Sequence, residues 1–167
     1  MKIIIMQTLT TLYRKHDRGI LYWRVYLQEN SIIFTWGIVG KSNGSRIRSF
    51  DNKEATLSFF QSFIKRMKQS FSYEPTICRY KLNLRISLSL PVHHTTEQFI
   101  GFSNPIYTAV ETELESTGNG SVGSLKIEEH ILSIQLMVID SNLAFNKIRE
   151  LLAGFGISRN RLLFLPH

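Results

Sequence analysis

The sequence predicts an α+β protein made of two units. Three observations lead there. Apolar residues alternate with period two over several short stretches, they recur near every 3.6 residues in others, and the net positive charge is confined to one half of the chain. At 167 residues, 43% of them hydrophobic and 20% charged, the chain is long enough for one medium core or two small ones, and its composition is far from disordered. Cut at Pro75, residues 1–75 hold 12 Lys and Arg against 5 Asp and Glu, whereas residues 76–167 hold 8 of each. The whole formal charge of +7 therefore belongs to the first half. The expected division is a basic domain over 1–74 and a neutral domain over 75–167.

In the first unit, "GILYWRVYLQ" alternates Trp23, Val25 and Leu27 against Tyr22, Arg24 and Tyr26, the pattern of a half-buried strand. "SIIFTWGIVG" is β-branched and aromatic, and "GSRIRSF" after "SNG" reads as the return strand of a hairpin. The period then changes. Phe60, Phe63, Ile64, Met67 and Phe71 form one stripe of an amphipathic helix, with Asp51 or Asn52 as its cap and Lys65, Arg66 and Lys68 near its C-terminus. "SYEPT" reads as a linker.

Past it, "YKLNLRISLSLPV" places Leu82, Leu84, Ile86, Leu88 and Leu90 on one face. Residues 95–117 are helical in pattern but carry Pro105, which suits the first turn of a helix, so two consecutive helices are expected, with Ile106, Ala109, Val110 and Leu114 inward. "SLKIEEHILSIQLMVID" supplies two strands. "SNLAFNKIRELLAGFG" is a capped helix with Ile148, Leu151, Leu152 and Phe155 inward and Gly156 at its end, and "RLLFLP" is a last strand. The order β-α-β-β-α-β is that of ferredoxin-like domains.

Chemical motifs are sparse. "GNGSVG" matches the spacing of a dinucleotide-binding loop, but a helix precedes it and a strand follows, the reverse of what a pyrophosphate site needs. Gly118 is expected to cap the helix, and Gly120 and Gly123 to make a turn. His93 and His94 are neighbours in extended chain and point apart, and Glu97 makes only a weak acid–base partner for them. Glu111, Glu113 and Glu115 spread around a helix rather than converge. The single Cys78 excludes an internal disulfide and every multi-cysteine zinc site. No apolar run reaches membrane length, and the short one after Lys2 is too short for a signal-peptide core. The expectation is a cytoplasmic, non-enzymatic protein without metal or cofactor and without membrane attachment.

The stretch from about residue 11 to 73 resembles the WGR domain, the small module of poly(ADP-ribose) polymerases that also occurs in bacterial proteins. The likeness rests on "LYRK", "YWRVYL", "TWGIVG" and Phe50 leading into a helix that ends near Tyr73. It implies a small antiparallel sheet with one helix. It also implies a tryptophan that packs against a DNA strand end and a glycine that makes the turn. Trp36 and Gly37 stand at those two positions, and Ile38 stands where the family carries an arginine. The second unit, through "ELESTGNGSVGSL", is similar to small ferredoxin-like bacterial domains, some of them immunity proteins of toxin systems.

Two functions follow as expectations. In the first, the basic unit binds nucleic acid, DNA foremost, through Trp36 and Gly37 with Lys41, Arg46 and Arg48, because cations beside an aromatic ring combine phosphate contacts with stacking. Arg46 and Arg48 flank Ile47 and so leave the strand on one face. Trp36 shares a face with Ile32 and Phe34 and is either part of the core or, through a twist at Gly37 and Gly40, a free surface. In the second, the chain is an antitoxin-like immunity protein that binds an acidic protein such as a toxin.

Overall fold

The computed structural model describes residues 8–41, 43–75, 80–88, 96–128 and 130–166. The chain divides into two compact units, Met1–Ile77 and Cys78–His167. Among the described residues, each is a mixture of α and β, with a four-stranded antiparallel sheet, one α-helix in the first unit and two in the second.

The first unit runs β1 (Thr8–His16), β2 (Gly19–Gln28), β3 (Ser31–Ile38), β4 (Asn43–Ser49) and α1 (Lys53–Phe71), with the strands side by side in chain order. β1 was hidden by its composition: threonines at 8, 10 and 11 blur the apolar alternation. Thr is nonetheless β-branched, and Asp17 and Arg18 close a two-residue hairpin in which His16 pairs with Gly19. α1 is capped by Asn52, whose Oδ1 accepts from the Ala55 N–H at 2.8 Å. Along its stripe Phe60 and Met67 are buried, and Phe63 and Ile64 partly so. Phe71 departs from expectation at 41% exposure, because the helix ends there and the chain turns away through Ser72 at φ 55°. Tyr73 goes into the core instead, against Leu12 and Met67. Glu74 exchanges two backbone hydrogen bonds with Tyr13, at 2.7 and 2.8 Å. The first part of the expected linker is thus a built edge of the first unit.

The second unit runs β5 (Tyr80–Ser87), α2 (Thr96–Ser116), β6 (Gly120–Glu128), β7 (Ile131–Val138), α3 (Ser141–Gly154) and β8 (Leu162–Pro166). Its sheet has the order β6-β7-β5-β8, every neighbour antiparallel. Strict alternation on β5 and β7 puts Leu82, Leu84 and Ile86 beside Leu136, Ile134 and Leu132 on one face. Ile106, Val110 and Leu114 of α2 and Ala144, Ile148 and Leu152 of α3 complete that core. Leu90, Pro91, His93, His94 and Cys78 lie outside the described residues, as does the side chain of Glu97.

Three expectations are corrected here. α2 is one helix with Pro105 inside it, not two. The proline removes one backbone donor and crowds the carbonyl of Gly101, but burial of Ile106, Val110 and Leu114 on one continuous face outweighs that loss. Gly120 and Gly123 sit in β6 rather than in a turn. Gly120 has φ 149°, and a Cβ there would collide with the Met137 carbonyl, while Gly123 lies where the register slips between Val122 and Leu125. Phe155 is 38% exposed, because α3 has ended before it, and Gly156 at φ 74° and buried Ile157 carry the chain onward. Gly118, at φ 64°, does end α2. Among the described residues, no helix is long and apolar enough to cross a membrane.

Replacing Pro105 with Ala should stabilise the second unit, by up to about 3 kcal/mol, because a helix interior regains its hydrogen bond. Urea unfolding measures this, and an unchanged midpoint would mean that the helix is already broken at residue 105.

Candidate functional site

The two tryptophans meet inside the first sheet. Trp36 of β3 stands opposite Trp23 of β2 and Gly44 of β4. The indoles stack with centroids 5.0 Å apart and planes 25° from parallel. On the other flank, a Cβ at Gly44 would lie 2.8 Å from Cε2 and Cζ2 of the Trp36 indole. The ring therefore occupies the space a side chain at 44 would need. Trp36 is half-buried, and it serves as a wall of the core and as a lining of the cleft beside it.

That cleft follows from strand parity. Ile32, Phe34 and Trp36 share the face on which α1 lies, and their β4 partners are Arg48, Arg46 and Gly44. Both arginines thus rise on the helix side of an edge strand, while Ile47 between them is 65% exposed on the other. From the helix come Phe59 and Phe63. Phe63 is edge-on to Phe34 at 5.0 Å and to Trp23 at 5.4 Å. Together these groups enclose a groove of about 320 Å³, its floor Trp23, Trp36 and Phe34, its walls the two arginines and the two phenylalanines. The Arg48 guanidinium rests over Phe59, 4.1 Å from the ring centroid, and 5.2 Å from that of Phe50. Arg46 is exposed and, among the described residues, has no hydrogen bond, ion pair or ring contact.

Of the five residues expected to form a site, the structure brings Trp36, Arg46 and Arg48 together. Gly37 serves the opposite face. It lies in one row between Tyr22 and Asn43, whose side chains are hydrogen-bonded to each other. Burial pushes that phenol above the usual tyrosine value of 10.0, against the smaller opposing pull of Asn43 and of the Arg24 charge. A raised acid pKa favours the neutral folded form, so this contribution is intact below about pH 10 and fades as pH rises through the folded value. Lys41 is exposed in the turn, its N–H bonded to the Ile38 carbonyl at 2.9 Å, and is not part of the groove lining. Ile38 itself packs beside Gly19.

Phe59 and Gly44 were missed in the sequence, although Phe59 stands four residues before Phe63 and so shares its helix face. Trp23 read as structural and does both jobs. The second unit has a smaller hollow of about 190 Å³, lined by Asn83, Ser124, Lys126, Ser133 and Gln135, without an aromatic ring. Among the described residues, no three His, Cys, Asp or Glu side chains are placed to hold a metal ion.

No family model matches the chain, and no curated protein sequence does either. Among solved structures, the crystal structure of a Bacteroides fragilis protein is similar at a TM-score of 0.38 and 13% identity. The match covers 42% of this chain and 20% of that one, so the chain spans about a fifth of that protein's length. A likeness of that degree carries no argument about function.

Gly44→Ala should displace the Trp36 indole, at a cost of about 1–3 kcal/mol, and change the tryptophan emission. Gly101→Ala, where nothing lies within 4 Å of the added Cβ, is the control and should not destabilise the protein. Urea unfolding followed by fluorescence compares the two, and equal midpoints would contradict the placement of the indole over Gly44.

Proposed function

We propose that this is a non-catalytic, cytoplasmic binding protein whose first unit contacts nucleic acid, DNA foremost, through the groove between β4 and α1. The observation that carries the reading is the groove's composition: five aromatic rings and two arginines, with no carboxylate among its lining residues. It lies in the half of the chain that holds the whole formal charge of +7. Arginines at the rim meet phosphates, and aromatic surface behind them meets sugars or bases. Lys41, outside the groove on the β3–β4 turn, is a third exposed cation of this hairpin.

The four-stranded sheet followed by one helix supports a WGR-like reading of this unit, and the β6-β7-β5-β8 order supports a ferredoxin-like reading of the second. Within the first, Arg46 and Arg48 of β4 line the same groove as Trp36 and take over the cationic role of the arginine missing at position 38.

Binding of a short fluorescent DNA should weaken with salt, log K falling against log[salt] with a slope of about −0.9 per phosphate neutralised on a duplex and about −0.7 on a single strand. Arg46→Ala combined with Arg48→Ala should weaken binding and remove at least one such unit of slope without unfolding the protein, since both side chains are exposed. Wild-type affinity and slope in that double variant would move the interface away from the groove.

A further inference from the structure

We infer that the groove admits one unpaired base, so that the first unit selects single-stranded over double-stranded nucleic acid; this rests on the nucleic-acid reading of the same groove. The first argument is shape. The groove is a slot between two walls, an edge strand on one side and a helix on the other, over an aromatic floor. A duplex shows its bases only as edges at the bottom of its grooves, while their faces are stacked on one another. An unpaired base can turn its face out, and one such planar group suits a slot of about 320 Å³ floored by indole and phenyl rings.

The second argument is that the two arginines are held differently. Arg48 is steadied by Phe59 and Phe50, with its guanidinium lying over the nearer ring at 4.1 Å. A guanidinium fixed in this way is a flat wall against which a base can stack, as aromatic side chains and arginine planes do in single-strand recognition. Arg46 has no partner among the described residues and stands exposed at the rim. It is free to follow a phosphate. The slot thus separates two roles along one strand: Arg48 for the base, Arg46 for the backbone that leads to it.

The test compares three fluorescent ligands of equal length at about 0.1 M salt: a single-stranded oligothymidylate, the same backbone with abasic sites throughout, and a duplex. Wild-type protein should bind the thymidylate about 5- to 100-fold more tightly than the abasic strand, the worth of one base stack, and should quench its tryptophans only with the former. Arg48→Lys keeps the charge and loses the plane. It should keep the salt slope while the preference for thymidylate over the abasic strand falls several-fold. Arg46→Ala should instead weaken thymidylate and abasic strand alike. Equal binding of both strands by the wild type would overturn the base slot while leaving nucleic-acid binding in place. Full base preference in Arg48→Lys would overturn the stacking role of Arg48, and failure to bind any of the three ligands would overturn both readings together.

Discussion

The indole of Trp36 is caught between Trp23 on one strand and the bare backbone of Gly44 on the next, and most of the first unit is arranged around that contact. Stacked, the two tryptophans make a broad apolar floor in the middle of a four-stranded sheet. Phe34 and Phe63 meet Trp23 edge-on, at 6.2 and 5.4 Å, the geometry that the ring quadrupole favours. Such a cluster needs a cover, and α1 supplies it only in part. Where the helix stops short of β4, the aromatic floor stays open and becomes the groove.

Charge and shape are coupled there by the two-residue period of a strand. Because Trp36 must point toward the helix, Gly44, Arg46 and Arg48 on the paired strand point there too. The same register sends Ile47 outward and leaves Gly37 on the far face, in one row with the hydrogen-bonded Tyr22 and Asn43. A one-residue slip of β4 would exchange these roles and bury Ile47 where the arginines now stand. The cation-lined groove is therefore a property of register as much as of composition.

Much of this was legible in the sequence. The alternation in "YWRVYL" and "YKLNLRIS" and the helical stripe from Phe60 to Met67 identified elements that the structure contains; burial on one face imposes the period on β5 and α1, whereas β2, expected half-buried, is covered on both faces, with Tyr22 and Arg24 buried as well as Val25. Less was legible where two demands met in one residue. The threonines of β1 satisfy strand propensity without showing an apolar face. Pro105 signals a helix start locally but is overruled by a core that three neighbouring turns share. For the site, Arg46 and Arg48 could be placed on one face together and expected near Trp36, but their partners across the sheet, Phe34 and Ile32, could not be read, because the register of β3 against β4 depends on where the turn closes. The need for glycine at 44 is visible only once the indole is seen lying over it.

Contact between nucleic acid and this groove can be observed residue by residue. Nuclear magnetic resonance of the full chain, labelled with nitrogen-15 and titrated with a single-stranded oligonucleotide, tests it most directly. The largest shifts are expected on the indole Nε1–H signals of Trp23 and Trp36 and the Nε–H of Arg48, with backbone shifts along β4 and the Phe59–Phe63 turn of α1. Saturating oligonucleotide that leaves both indole signals unmoved, or that moves chiefly residues of the second unit, would contradict it.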